Sequence, residues 1–177
     1  TLERLLERHG SGAKAVVWEH NTHIGDARYT DMARAGMVNV GQLARERLED
    51  AGVVLVGFAS HRGSVIAGSA WGAPMRSMPV PEAQAGSWED LLHRQSDHDR
   101  IIMLRDLADE PDLQDPLGHR AIGVVYDPRA ERRGNYVPTV LPRRYDALVY
   151  LDETRALNPL HPVVDDDQMP DTYPWSV

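Results

Sequence analysis

The sequence has no cysteine, so a disulfide framework, a thiolate metal site and a cysteine nucleophile are all closed to it. Long apolar runs are missing too. The longest is a handful of residues, against the roughly 20 that a membrane-spanning helix needs, and no basic start followed by an apolar core marks a signal peptide. These absences favour a soluble, cytoplasmic protein without a membrane partner. Positive charge is in deficit: the net charge is -8, and Asp165, Asp166, Asp167 and Asp171 crowd the end of the chain. That balance opposes attraction to phosphate backbones and argues against a nucleic-acid partner. Without a Gly-x-Ser-x-Gly elbow there is no nucleophile of the α/β-hydrolase kind. Without a Walker A loop or a Gly-x-Gly-x-x-Gly fingerprint, the commonest nucleotide sites are excluded as well.

What remains is enough for one core, since a chain of 177 residues buries roughly 70% of its unfolded surface. The chain opens at Thr1 inside an amphipathic pattern, with Leu2, Leu5 and Leu6 on one helical face and Gly10 at the capping position. This start reads as a cut from something longer. Five short apolar runs follow: Ala15 to Trp18, Val53 to Phe58, Ile101 to Leu104, Ala121 to Tyr126 and Ala147 to Leu151. They are continuous rather than alternating, which predicts strands covered on both faces, the habit of parallel sheets. Between them, Asn39 caps a helix through Gln42, Leu43, Arg45 and Leu48 that Gly52 stops, and Ser87 caps another through Trp88, Glu89, Leu91 and Leu92. The alternation predicts a three-layer α/β/α architecture with a mainly parallel sheet. The stretch Asp109 to Pro116 and everything from Asn158 on read as loop, with residues 162–177 an acidic, Pro-containing tail.

In open parallel sheets ligands bind beyond the carboxyl ends of strands, so polar residues after an apolar run draw attention. The first run ends in Glu19-His20-Asn21-Thr22-His23-Ile24-Gly25-Asp26. Imidazoles titrate near neutrality and can take a proton from water, a neighbouring carboxylate orients them, and an Asn amide can donate to a developing oxyanion. Glu19, His20 and His23 are therefore candidate catalytic residues, with Asn21 for substrate. A single imidazole bonded within a loop is the plainer alternative. His20, His23 and Asp26 also form a possible zinc trio, although a His-x-x-His pair in a loop enforces no geometry. After the second run, His61 and Arg62 are substrate-binding candidates, the guanidinium suited to a carboxylate or phosphate, with pairing to a structural acid the alternative. His119 and Arg120 precede a strand and read as structural. Asn135 and Tyr136 sit in a polar loop, Trp18, Trp71 and Trp88 read as core or pocket wall, and His9, His93 and His98 as solvated.

Taken together, Ala15-Val16-Val17-Trp18-Glu19-His20-Asn21-Thr22-His23-Ile24-Gly25-Asp26-Ala27-Arg28, Asn39-Val40-Gly41-Gln42-Leu43 and Arg62-Gly63-Ser64-Val65 resemble the C-terminal half of the erythromycin esterase-like family. Gly118-His119-Arg120-Ala121-Ile122-Gly123-Val124-Val125-Tyr126, Gly134-Asn135-Tyr136-Val137-Pro138 and Tyr145-Asp146-Ala147-Leu148-Val149-Tyr150-Leu151-Asp152 continue the similarity to about His161. The resemblance implies an erythromycin esterase/ChaN-like fold, present as a partial, C-terminal unit over residues 1–161. It implies hydrolysis of an ester, in the family's best-known members a macrolide lactone, by a histidine that activates water without cofactor or metal. Other members are called succinoglycan-biosynthesis-related. The family's principal His and Glu lie in a Gly-Glu-x-x-His-like stretch that this sequence lacks, so His20 and His23 match only a second wall of the cleft. The implied partners are a small ester and either the missing N-terminal half or a second copy of the chain, which would cover exposed apolar surface. A metal- or ligand-binding protein, as in haem- or iron-binding relatives of the fold, and an inert structural fragment are the alternatives.

Overall fold

In the computed structural model, which describes residues 2–48 and 52–158, three helices precede the first two strands and helices and strands intermingle thereafter; the acidic tail lies outside the described residues. The helices are α1 (Leu2–His9), α2 (Asn21–Ile24), α3 (Val40–Leu48), α4 (Trp88–Gln95), α5 (Glu131–Gly134) and α6 (Leu141–Arg144). Gly10, Asn39 and Ser87 cap helices as read from the sequence, while the approach of α3 to Gly52 runs through residues 49–51, outside the described residues. Gly10 follows α1 with φ +89°, a left-handed conformation costly to any side chain. The Asn39 Oδ1 accepts the Gln42 N–H at 3.0 Å to start α3, and the Ser87 Oγ accepts the Asp90 N–H at 3.3 Å to start α4. None of the helices is long and apolar enough to cross a membrane among the described residues.

The strands are β1 (Val56–Ala67), β2 (Arg76–Val80), β3 (Arg100–Met103), β4 (Leu117–Arg120), β5 (Tyr136–Thr139) and β6 (Ala147–Thr154). Four of them form a sheet in the order β2-β1-β6-β3, and β4 and β5 make a separate antiparallel ribbon. Only β1 and β6 run parallel, with Val56 opposite Ala147 and Ser60 opposite Leu151, while β2 and β3 pair antiparallel at the flanks. The mainly parallel sheet of the sequence reading is thus replaced by a mixed one. Residues 68–75 suffice for the antiparallel return from β1 to β2, and the parallel β1–β6 pair is joined by a long crossover that carries α4, whereas β3 meets β6 antiparallel across the long connection 104–146.

Two of the five apolar runs form no strand. Ala15 to Trp18 has no regular structure, and Ala121 to Tyr126 makes only an isolated bridge from Val125 to Gly68. The other three lie wholly or partly in β1, β3 and β6. Residues alternate across the sheet. One face carries Ala59, Leu148 and Tyr150 into a core completed by Leu55, Leu104, Leu141, Tyr145 and the α4 residues Trp88 and Leu92. The opposite face carries Val56, Phe58, Ile101 and Met103, all exposed, Ile101 at 70%. Cover on both faces, as the continuous runs predict, is found on one. Trp71 is exposed, Trp18 is exposed as part of a groove wall, and Trp88 is buried in the core, its indole N–H donating to the Thr139 carbonyl at 2.8 Å.

Candidate functional site

The Glu19 to His23 segment follows no strand; it leads into the single turn of α2 beside the free edge of β1. His20 occupies the N-cap position, with Nδ1 2.8 Å from the Thr22 hydroxyl and 3.3 Å from the Thr22 N–H. Its Nε2 lies 2.7 Å from the Ile122 carbonyl oxygen. A carbonyl can only accept, so Nε2 carries the proton and Nδ1 the lone pair. Burial, with the charges of His23, Arg144 and His119, holds the His20 pKa below its ordinary value despite the opposing Ile122 hydrogen bond. This imidazole is neutral at pH 7 and committed on both nitrogens. His23 differs: it is exposed, and its Nδ1 meets the Oε2 of Glu19, four residues earlier and ahead of α2, at 3.2 Å, while Nε2 makes no hydrogen bond among the described residues. The two rings stand edge to face with centroids 6.1 Å apart.

Asn21 is bound on both ends of its amide. Nδ2 donates to the Phe58 carbonyl at 2.6 Å and Oδ1 accepts the Phe58 N–H at 3.1 Å, so the side chain pairs with β1 as a neighbouring peptide would. An Asn21 amide engaged in this way is a structural clip, and its freedom to stabilise an oxyanion is spent. Behind it, Arg144, fully buried, donates to the Asn21 carbonyl at 3.2 Å and to Thr139 Oγ1 at 2.8 Å, and makes no ion pair among the described residues. Burial lowers its pKa.

The proposed zinc trio is dismantled by charge pairing. Asp26 is fully buried; its Oδ1 accepts the Arg28 N–H and Nε–H at 3.1 and 3.0 Å, and its Oδ2 accepts from Arg28 at 2.7 Å and Arg45 at 3.3 Å. Burial pushes this carboxyl up, but the Arg28 and Arg45 contacts outweigh it and hold it below the usual range. Arg45 continues to Asp146 at 3.0 Å, and Asp146 accepts the Leu55 N–H at 2.6 Å, tying α3 to the starts of β1 and β6.

His61 and Arg62 point to opposite faces of β1 and do not converge on the turn. His61 is buried, stacked on His93 at 3.7 Å, and its Nδ1 has no partner among the described residues. His93 is not simply solvated, since its Nδ1 meets Asp152 at 2.6 Å, and Tyr150 donates to the same carboxylate at 2.8 Å. Arg62 is exposed and pairs with Glu153 at 3.4 Å and Glu82 at 3.7 Å, the structural alternative. Arg120 is buried and built into the fold: it donates to the Ser60, His61 and Pro81 carbonyls and pairs with Glu131 at 2.8 Å. Glu131 also accepts the Tyr126 and Tyr136 hydroxyls.

One element of the site was not read from the sequence. Glu89, at the first turn of α4, meets His119 Nδ1 at 2.6 Å with both side chains at or below 1% exposure, and the same oxygen accepts the Arg120 N–H at 2.9 Å. Burial opposes the Glu89 charge, but proximity to His119 and these hydrogen bonds outweigh it and lower its pKa. His119 Nε2 lies 3.5 Å from both Asn21 Nδ2 and the Tyr145 hydroxyl. No spacing pattern announces a pair that only the packing of α4 on β4 brings together.

The turn borders an open groove of about 1130 Å³, lined by Val17, Trp18, Ile24, Val40 and Phe58, with Lys14, Glu19, Ser64 and Arg155 among its polar residues. Its apolar wall and few polar groups suit a small organic ligand.

The family model for erythromycin esterase matches residues 1–154. Two crystal structures share the fold. One is a succinoglycan biosynthesis protein, with a TM-score of 0.65 and 20% identity over 81% of this chain and 34% of its own. The other is a Bacillus cereus protein, with a TM-score of 0.58 and 16% identity over 78% of this chain and 33% of its own. The chain spans about a third of the length of these structures.

Proposed function

The chain belongs to the erythromycin esterase family, and from that premise we propose that it contributes one wall of a hydrolytic cleft for a small ester or lactone. The observation that carries the reading is the Glu19–His23 pair beside the apolar groove: Glu19 lines the groove, and His23, outside its lining, keeps an imidazole nitrogen open to solvent. In this reading Glu19 orients His23, His23 exchanges a proton with water or substrate, and the neutral Nε2–H of His20 holds the turn against the Ile122 carbonyl. The apolar groove takes the alkyl part of the substrate. No cofactor takes part, and the cytoplasm is the proposed compartment.

The bare sheet face supports a further part of the proposal. Val56, Phe58, Ile101 and Met103 form an exposed apolar surface on strands whose sequences are continuous in apolar residues. In the proposed complete, three-layer unit this face is covered by the rest of such a domain, with a second copy of the chain as the alternative.

The test uses the protein made from its complete reading frame. Turnover of p-nitrophenyl esters or macrolide lactones is expected, with a loss of about a hundredfold or more in His23→Asn. Absence of turnover with every ester tried, together with no effect of His23→Asn or His20→Asn, would remove the hydrolase reading.

A further inference from the structure

Glu89 and His119 lie outside the groove lining, yet this fully buried acid–imidazole pair reaches the turn that borders it, His119 through Asn21 and Glu89 through His119. We propose that Glu89 and His119 are positioning residues which, acting through Asn21, hold the His20–His23 turn against the edge of β1. The inference rests on reading that turn as the reactive wall, and its geometry follows from one constraint to the next.

The Phe58 peptide fixes the Asn21 amide, because its N–H must meet Oδ1 and its carbonyl must meet Nδ2. The remaining Nδ2 proton faces His119 Nε2 at 3.5 Å, the arrangement of a donor meeting a lone pair. In that arrangement His119 Nδ1 holds the ring proton and donates it to Glu89, 2.6 Å away. Tyr145 adds a second donor toward the same Nε2, or toward the Asn21 carbonyl at 3.3 Å. Glu89 is in turn anchored by the Arg120 N–H. A neutral Gln at position 89 favours the Nδ1–H tautomer less and puts two amide protons where Oε2 has no partner. A His119 with its proton on Nε2 would set donor against donor at Asn21 and loosen the clip.

Three measurements on the full-length protein test this. In nitrogen-15 spectra at about pH 7, His119 is expected to carry its proton on Nδ1; a proton on Nε2 overturns the proposal. In Glu89→Gln, hydrogen exchange at the Phe58 amide is expected to quicken by about tenfold or more, while the Leu148 and Tyr150 amides keep their protection. Unchanged Phe58 exchange overturns it. In an Asn21→Ala background the same Glu89→Gln change is expected to have no further effect, since the relay is already cut; an undiminished effect overturns it. Should Glu89→Gln fail to fold, His119→Gln carries the same cycle. Ester turnover separates this inference from the functional reading. A wild-type protein without turnover removes the hydrolase and leaves the exchange cycle decisive for positioning. Turnover accompanied by additive exchange effects removes the positioning alone.

Discussion

His20 and His23 stand three positions apart and in opposite chemical situations. Removing His20 as His20→Ala deletes an N-cap and strands the Ile122 carbonyl, which costs about 1–2 kcal/mol. His23→Ala cuts only an exposed pair and is expected to cost under about 0.5 kcal/mol. Urea unfolding of the two variants checks the contrast; equal losses would contradict it. Asp26→Asn belongs to the same scale. It keeps the shape but turns an amide donor toward two guanidinium groups in a fully buried place, so a loss of roughly 2–4 kcal/mol is expected in the same assay. The residue types of this cluster were legible in the sequence, and their partners were not. Ile122 and Phe58, which fix His20 and Asn21, are distant in the chain, and no local pattern encodes the meeting. Asp26 had the composition of a metal ligand, and its burial beside Arg28 and Arg45 made it a charge anchor.

The single turn of α2 has too few residues to be stable by itself and is held by what packs on it. Gly41 of α3 lies so close that a Cβ there would collide with the Ile24 carbonyl, and Asn39 donates to the Thr22 and Gly25 carbonyls at 2.7 and 2.5 Å. Gly41→Ala must push the two helices apart. The expected loss is about 1–3 kcal/mol, visible as a lower Tm with faster exchange at the His23 and Ile24 amides. At this scale the capped helices were readable, because Asn39, Ser87 and Gly10 act within their own turns. The strands were half readable. Val53 to Phe58, Ile101 to Leu104 and Ala147 to Leu151 contribute to the sheet, whereas Ala15 to Trp18 does not. Along β1 the edge that such a strand would occupy is met at Phe58 by the Asn21 side chain. Strand direction is not reported by apolar periodicity: β1 and β2 are antiparallel across a short return, while β3 and β6 are antiparallel across a long one.

Acid sensitivity belongs to the whole molecule. His20 and His61 have folded pKa values below 6.5, both chiefly through burial, so the unfolded chain takes up their protons first. Their contribution to stability is complete above 6.5 and falls away as the pH drops from there toward the folded values. Asp26, Glu89 and Asp152 are also depressed, from ordinary values of 3.8, 4.5 and 3.8, and their contribution is lost below those values. On the acid side every sign agrees, so the Tm is expected to be level from about pH 7 to about pH 9, to decline through about pH 6 and to fall steeply below about pH 4. Calorimetry across that range checks it, and a Tm maximum near about pH 5 would refute it. A one-sided sheet was beyond the reach of sequence reading, since continuous apolar runs state that both faces repel water and not what covers them. That bare face has an optical consequence. Trp18, 83% exposed, lies with its ring centroid 5.8 Å from that of Phe58 at the groove. Indole fluorescence moves to shorter wavelength when water leaves the ring, so the difference spectrum between the native protein and Trp18→Phe isolates a reporter already placed at the groove. Any molecule or chain segment that settles over this face will announce itself in the colour of the emitted light, with no label attached.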